Sequence, residues 1–156
     1  MMRSPALKDA LKRQRQRLAA RTFLREAGHL LPKDPKFIVT QSLDLDSLLR
    51  TELAARRPAV NGTLVRTEDR ETFVHAAHEY FEKRSRIVFN VLFCHWIDAG
   101  PLALHGSYLA SKAYGLLCFD GDAIYGCTND VSEVFSLDRT VLDGLETLEL
   151  FWFRRL

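Results

Sequence analysis

The segment from Ile87 to Ile97, IVFNVLFCHWI, is the most apolar run of the chain and limits the possible folds more than any other feature. Its β-branched and aromatic residues favour a strand over a helix, and a strand this apolar has to be buried inside a sheet. With 156 residues, of which 47% are hydrophobic, the chain is long enough for one domain with a buried core. We therefore predict an α+β fold: a single domain with a mixed β-sheet, helices on one face and a basic N-terminal helix.

The two ends of the chain carry opposite charge. Residues 1–36 contain ten Lys and Arg against three Asp and Glu, whereas residues 87–156 contain four against nine. The serine and proline at Ser4-Pro5 predict the start of a helix, which should end near Gly28. Most of the cationic side chains of the first segment therefore lie on one helix.

This basic helix has only a thin apolar stripe, so it should pack on another part of the protein or lie along a nucleic acid. Lysine and arginine side chains that neutralise phosphates release counterions, which favours binding to DNA. Attraction to the acidic C-terminal half is one alternative, and a solvated, weakly amphipathic helix is another. The predicted domain boundaries are 1–31 for the basic helix and 32–156 for the single α+β domain. The predicted DNA contacts are Lys12, Arg13, Arg17 and Arg21.

A candidate phosphate site lies in the stretch from Gly100 to Gly115, GPLALHGSYLASKAYG. Leu102–Leu104 reads as the end of a strand, His105-Gly106 as a tight turn and Ser107–Tyr114 as a short helix. A helix start that follows a glycine directly presents free backbone amides and the positive end of the helix dipole, which suits an anion. The alternative is a plain strand–helix junction with a capping serine. The predicted nucleotide- or phosphate-binding residues are Gly106, Ser107, Tyr108 and Lys112.

Another helix is predicted to open at Thr67, and its two faces differ. One face is apolar and should contact the core; it consists of Phe73, Ala76, Ala77, Tyr80 and Phe81. The opposite face carries His75, His78, Glu79 and Glu82. This spacing suits a divalent metal or general acid/base groups, and an ordinary polar helix face is the alternative. The predicted catalytic residues are Glu79 and Glu82 from this face, together with His105.

Turn signals and apolar runs predict the remaining elements. Residues 37–40 read as a strand and residues 45–53 as a helix. Leu116–Phe119 and Ala123–Thr128 read as two strands of a hairpin, joined by Asp120-Gly121-Asp122. A brief helix capped by Asp130 or Ser132 is then expected to contain Val131, Val134 and Phe135. The segment Leu145–Phe153 should be buried as a strand or a short helix.

Cysteine usage indicates a reducing compartment. Cys94, Cys118 and Cys127 lie in apolar surroundings and form no CxxC pair, so we expect buried free thiols in a cytoplasmic protein. No apolar run is long enough to predict a membrane span.

The order of the predicted elements resembles the ParB/sulfiredoxin superfamily over residues 70–128. The matching elements are the helix Arg70–Lys83, the strand Ile87–Ile97, a hairpin to Leu102–Gly106 and a helix directly after that glycine. Members of this superfamily carry a Gly-x-x-Arg signature at the turn from strand to helix, where nucleotide phosphates bind. Here Gly106 is present, but Leu109 stands in place of the arginine. Lys112, His105 or another cation would therefore have to contact the phosphate.

Within that superfamily, a compact chain with a basic helical N-terminus is similar to the oncogenic-suppression type of fertility-inhibition protein, which conjugative plasmids encode. The resemblance implies nucleotide hydrolysis and DNase action on the transferred DNA, with ATP and Mg²⁺ as cofactors. It implies DNA and components of a DNA-transfer apparatus as partners.

The competing hypothesis is a non-enzymatic inhibitor or immunity protein that binds a protein partner through its acidic C-terminal half. Acidic side chains on that half would steer a basic partner toward it. The side chains predicted for this role are Asp120, Asp122, Asp130, Glu133 and Asp138.

Overall fold

The described helices, together with one antiparallel sheet, match the predicted α+β class. The computed structural model describes residues 4–37 and 62–154, so the strand predicted at 37–40 lies mostly outside the described residues and the helix predicted at 45–53 lies wholly outside them. The described elements are α1 (Pro5–Ala27), β1 (Lys36–Phe37), β2 (Gly62–Thr67), α2 (Arg70–Glu82), β3 (Val88–Phe93), β4 (Leu102–His105), α3 (Gly106–Asp120), β5 (Ala123–Cys127), β6 (Glu133–Leu142) and β7 (Leu145–Arg154).

The strands form one seven-stranded sheet in the order β1-β4-β3-β5-β6-β7-β2. Every strand pairing among the described residues is antiparallel, so the prediction of a mixed sheet is wrong. Short connections explain this result. The links from β3 to β4, from β5 to β6 and from β6 to β7 join neighbouring strands directly, whereas parallel neighbours need a crossover of a dozen or more residues.

The main core lies between one face of the sheet and the helices. Strand side chains alternate between faces, and the helix-facing set includes Phe89, Val91, Phe135, Leu137, Leu148 and Leu150. The apolar face predicted for α2 is confirmed, because Phe73, Ala77, Tyr80 and Phe81 are buried. The other face of the sheet has a smaller buried cluster, formed by Leu92, Cys127, Val134, Phe151 and Phe153.

The apolar run Ile87–Ile97 forms a shorter strand than predicted. Strand β3 ends at Phe93, and Cys94–Ala99 continues as 3-10 turns. The backbone amide of His95 donates to the carboxylate of Asp120 at 3.0 Å, which turns the chain away from the sheet. A buried strand is therefore confirmed for the first part of the run, since five of the six residues of β3 are buried.

Helix α3 is longer than predicted and replaces one strand of the expected hairpin. It extends to Asp120, so Leu116–Phe119 is helical and the hairpin prediction for this segment is wrong. Leu109, Ala113, Leu116 and Leu117 repeat at helical spacing and are all buried, so tertiary packing decides between helix and strand. Gly121 ends the helix with a φ of 89°, a conformation that glycine adopts without strain.

The brief helix predicted after Asp130 is also wrong, because a turn there leads directly into β6. The Asp130 carboxylate accepts hydrogen bonds from the Thr128 hydroxyl at 2.7 Å and from the Ser132 amide at 3.1 Å. Hydrogen bonds from the Ser132 side chain, and then from Thr128, lower the pKa of Asp130 to about 2. These bonds use the carboxylate in the turn rather than as a helix cap.

Strands β6 and β7 form a long hairpin that extends beyond the rest of the sheet. They pair over ten rungs, from Glu133 opposite Arg154 to Leu142 opposite Leu145, whereas β5 accompanies β6 only as far as Asp138. Asp143 and Gly144 close the hairpin with φ angles of 51° and 78°, the combination of a type I′ turn. The strand alternative for the last segment is therefore confirmed. Leu142 and Leu145 at the tip are 70% and 62% exposed.

The starts of the first two helices show how capping residues set helix limits. The Ser4 hydroxyl accepts from the Leu7 amide at 3.3 Å, which confirms the predicted start of α1. Thr67 is the last residue of β2 rather than the start of α2. The Asp69 side chain caps α2 by accepting from the Thr72 amide at 3.1 Å.

All three cysteines have free thiols, but only Cys127 is fully buried, and burial raises the pKa of its thiol to about 11. Cys94 is half-buried and Cys118 is exposed, so the prediction of three buried thiols is wrong for these two.

Candidate nucleic-acid interface

Helix α1 carries a dense set of exposed cations. It contains seven Lys and Arg against two acidic residues, Asp9 and Glu26. All seven cationic side chains are exposed: Lys8, Lys12, Arg13, Arg15, Arg17, Arg21 and Arg25. The four predicted DNA contacts are therefore all accessible to a ligand.

Within residues 4–37 and 62–154, these cations form few ion pairs. In the part of the chain that the structure describes, only Arg25 among them forms an ion pair, with the exposed Glu26 at 3.9 Å. An exposed pair at this distance contributes little and is screened by salt. The described residues therefore leave most of the charge of the helix available to an anionic partner.

The C-terminal half of α1 holds the helix on the domain. Phe23 is fully buried, and its ring lies 4.9 Å from Phe93, 5.6 Å from Trp96 and 5.7 Å from Phe119, measured between ring centroids. Ala27 is buried beside it. No residue of the first half of the helix, from Pro5 to Arg15, is buried. The first half therefore presents its side chains to solvent from a fixed base.

The predicted phosphate turn is present, but its first amides are already bound within the protein. The Gly106 amide donates to the Ile87 carbonyl at 2.8 Å, and the Ser107 amide donates to the Ser85 carbonyl at 3.1 Å. A phosphate at this turn would have to displace both carbonyls. The cap position is occupied by His105, whose side chain makes no capping bond, so the prediction that Ser107 caps the helix is wrong.

A packing contact explains why residue 106 is glycine. A Cβ atom added there would lie 2.7 Å from the carbonyl carbon of Arg84 and 3.1 Å from the carbonyl oxygen of Phe81. Both atoms belong to the backbone and cannot rotate away. The start of α3 therefore packs directly on the turn that follows α2, and phosphate binding by Gly106 stays a prediction.

The side chains of the other two predicted phosphate ligands, Tyr108 and Lys112, differ in their environment. The Tyr108 hydroxyl donates to the Leu30 carbonyl, and burial raises the pKa of Tyr108. This bond connects α3 to the segment that follows α1. Lys112 is exposed on α3. Gly106, Ser107 and the backbone of Tyr108 thus lie together at the helix start, and the Tyr108 side chain makes a structural contact.

The predicted catalytic residues lie on exposed surfaces. Glu79 pairs with Lys83 at 3.0 Å, and the hydrogen bond from Lys83 lowers the pKa of Glu79. Glu82 and His105 are exposed, and no hydrogen bond or ion pair among the described residues joins His105 to either glutamate. Residues 4–37 and 62–154 contain no group of three or more His, Cys, Asp or Glu side chains placed to hold a metal ion.

A buried polar network that the sequence did not indicate lies beneath α2. Glu133 is buried and accepts hydrogen bonds from the Arg84 guanidinium and, at 3.0 Å, from the Tyr80 hydroxyl. The guanidinium also lies 3.9 Å above the Tyr80 ring, measured to the ring centroid, and donates to the Tyr80 carbonyl at 2.9 Å. The network fixes the turn that contacts Gly106. Glu133 and Arg84 lie 49 positions apart, so no local pattern connects them.

The five acidic side chains predicted to steer a partner differ in exposure: Asp122 and Asp130 are exposed and Asp138 is half-buried. Glu133 is buried in the network above. Asp120 is also buried, and its carboxylate accepts from the backbone amides of His95, Asp122 and Ala123. Two of the five proposed side chains therefore cannot face a partner, which weakens the inhibitor hypothesis relative to binding by α1.

No family model, curated protein or solved structure matches the chain. Within the described part of the chain, no helix combines the length and the apolar character needed to cross a membrane.

Proposed function

We propose that the protein binds DNA through the exposed cations of α1. The observation that carries this proposal is the set of seven exposed lysine and arginine side chains on one helix, of which only Arg25 has an acidic partner within the described residues. A helix of 23 residues is about 34 Å long, which is about the length of ten base pairs. It therefore suits a run of backbone phosphates.

The affinity should depend steeply on salt. If α1 neutralises about five phosphates, the observed binding constant falls roughly 500-fold between about 50 and 200 mM salt. Such a slope is the measurable sign of contacts to the phosphate backbone.

The resemblance to fertility-inhibition proteins suggests a biological role for this binding. In that role the ligand is DNA transferred by conjugation, and components of the transfer apparatus are further partners. The protein would then also hydrolyse ATP and cleave DNA with Mg²⁺. The geometry supports DNA binding more strongly than either hydrolysis, because the amides of Gly106 and Ser107 are occupied and His105 does not contact Glu79 or Glu82.

Neutralising the α1 cations tests the proposal. A fluorescently labelled 20-base-pair duplex is titrated with wild type and with a variant in which Lys12, Arg13, Arg17 and Arg21 are replaced by glutamine. We expect the variant to lose at least 30-fold in affinity at low salt and to show a shallower salt dependence. The matched control removes the same charge from exposed cations elsewhere, by the substitutions Lys33→Gln, Arg66→Gln, Lys83→Gln and Arg86→Gln.

The control separates a binding helix from a general effect of net charge. An equal loss of affinity in both variants would contradict a specific role for α1, and no binding by wild type at low salt would contradict the proposal as a whole. The same mixtures, incubated with ATP and Mg²⁺ and run on a denaturing gel, show whether cleavage accompanies binding.

A further inference from the structure

Six of the seven cations of α1 form two rows on opposite flanks of the helix, and the seventh, Arg25, lies between these rows. An α-helix turns by about 100° per residue. One row is Lys8, Lys12 and Arg15, which lie within about 60° of each other around the helix axis. The other row is Arg13, Arg17 and Arg21, and its centre lies roughly 170° from the centre of the first row. All six side chains are exposed.

An apolar stripe lies between the two rows, on the side of the helix that faces away from the domain. It consists of Leu7, Leu11 and Leu18, which lie within about 40° of each other. Leu7 and Leu18 are 47% and 55% exposed, although leucine is usually buried. The buried contacts of the helix, Phe23 and Ala27, lie roughly 140–180° from Leu18 around the helix axis. The domain thus holds α1 with the leucine stripe outward.

We propose that α1 binds in the major groove of double-stranded DNA, an inference that rests on the DNA-binding function proposed above. The major groove is about 12 Å wide and admits an α-helix, whose diameter with side chains is about 10–12 Å. A helix in the groove has a phosphate backbone on each flank, which matches the two opposed cation rows. The leucine stripe then faces the base edges, where apolar side chains contact thymine methyl groups.

The same features disfavour three other ligands. Single-stranded nucleic acid is usually bound by exposed aromatic side chains that stack on bases, and the one aromatic residue of α1, Phe23, is fully buried. A membrane-surface helix needs a broad apolar face, whereas this stripe spans only about 40°. Pairing of the stripes of two copies would bring their cation rows together, and like charges repel.

A comparison of duplexes tests the inference. The major groove of A-form RNA is too deep and narrow for side chains to read, so a groove-bound helix discriminates against it. We measure the affinity of the full chain for one 16-base-pair sequence as a DNA duplex, as an RNA duplex and as single-stranded DNA, at matched salt. The expected result is binding to the DNA duplex at least tenfold tighter than to either alternative. Replacing thymine by uracil in the duplex should weaken binding several-fold.

A variant of the stripe separates the groove contact from the charge contact. Leu7→Gln, Leu11→Gln and Leu18→Gln together change only exposed or half-buried side chains, so the fold should persist, as circular dichroism can verify. We expect this variant to keep the salt dependence of binding but to lose most of the preference for DNA over RNA duplex. A variant that keeps the full preference would overturn the role of the stripe.

The possible failures are distinguishable. If wild type binds no nucleic acid at low salt, the DNA-binding function itself is wrong. If it binds DNA and RNA duplexes equally, or single strands more tightly, the function stands and the groove inference is wrong. Light scattering that shows a dimer abolished by the leucine substitutions, or binding to anionic phospholipid vesicles abolished by them, would assign the stripe to a second copy or to a membrane and overturn the inference.

Discussion

Replacing Gly106 by alanine tests the contact between the start of α3 and the turn after α2. The added Cβ would lie 2.7 Å from the carbonyl carbon of Arg84 and 3.1 Å from the carbonyl oxygen of Phe81. Neither backbone atom can rotate away, so the helix start has to move. That movement lengthens the hydrogen bonds from the Gly106 amide to Ile87 and from the Ser107 amide to Ser85, now 2.8 and 3.1 Å.

The magnitude follows from these two effects. Overpacking of this kind costs about 1–3 kcal/mol, and each weakened hydrogen bond costs roughly 1 kcal/mol, against a gain of about half a kcal/mol from the better helix propensity of alanine. We expect a net loss of about 2.5–4.5 kcal/mol in the free energy of unfolding. For a chain of this size the Tm should fall by about 5–18 °C.

Gly115 in the same helix provides the matched control. A Cβ added there would lie 3.9 Å from a methyl group of Leu30, which is an ordinary van der Waals contact. Gly115→Ala should therefore stabilise the protein by about 0.5–1 kcal/mol, since glycine in a helix interior costs that much relative to alanine. Thermal unfolding of wild type and both variants, followed by circular dichroism, measures the contrast.

Two results would refute the reasoning. A Tm for Gly106→Ala within about 1 °C of wild type would show that the close contact does not limit residue 106. A Tm of wild type that rises with millimolar ATP, while Gly106→Ala folds and shows no rise, would show that ligand binding rather than packing is the reason for the glycine. It would also support the predicted phosphate site.

Three further predictions concern stability. Glu133→Gln removes the buried negative charge that pairs with the half-buried guanidinium of Arg84 and should cost about 3 kcal/mol in urea unfolding. Glu79→Gln in an exposed pair should cost under about 0.5 kcal/mol. The hydrogen bond from Ser132 is the main reason that the pKa of Asp130 is lowered to about 2. The ionised carboxylate therefore stabilises the folded state above the ordinary pKa near 4, and this stabilisation is lost as the pH falls toward 2. The Tm difference between wild type and Asp130→Asn should vanish over that range. Gly144→Ala forces a residue with a side chain into a φ of 78° and should cost about 1–2 kcal/mol, and a neutral result by the same assay would contradict the type I′ turn.

Local patterns predicted the parts of the fold that depend on local physics. The capping serine Ser4 and the apolar face of α2 are readable because capping and amphipathic spacing act over a few residues. The Asp143-Gly144 dipeptide is a strong hairpin signal of the same kind, and the β6–β7 hairpin is predictable from it.

The features that could not be predicted from the sequence depend on contacts between residues far apart in the chain. The end of β3 depends on an amide that donates to Asp120, 25 positions away, and a carboxylate in a turn sequence gives no indication that it is buried. The same holds for the candidate site. The exposed cations of α1 follow from composition, because few residues of the helix are apolar enough to be buried. The environment of Gly106 depends on the backbone of Arg84, which only the folded chain brings near.

The aromatic contact that holds α1 includes a tryptophan, Trp96, whose fluorescence can report on the position of the helix. Trp96 stacks on Phe119 with an interplanar angle of 12° and meets the Phe23 ring edge-on, so its emission is sensitive to the seating of α1. The other tryptophan, Trp152, lies 4.7 Å from Tyr80 on α2, measured between ring centroids, and reports on a different part of the domain. In a Trp152→Phe variant, the remaining tryptophan emission comes from Trp96, beside the buried part of α1. An emission maximum that stays constant while DNA binds would show that α1 meets its ligand as a fixed helix and does not detach.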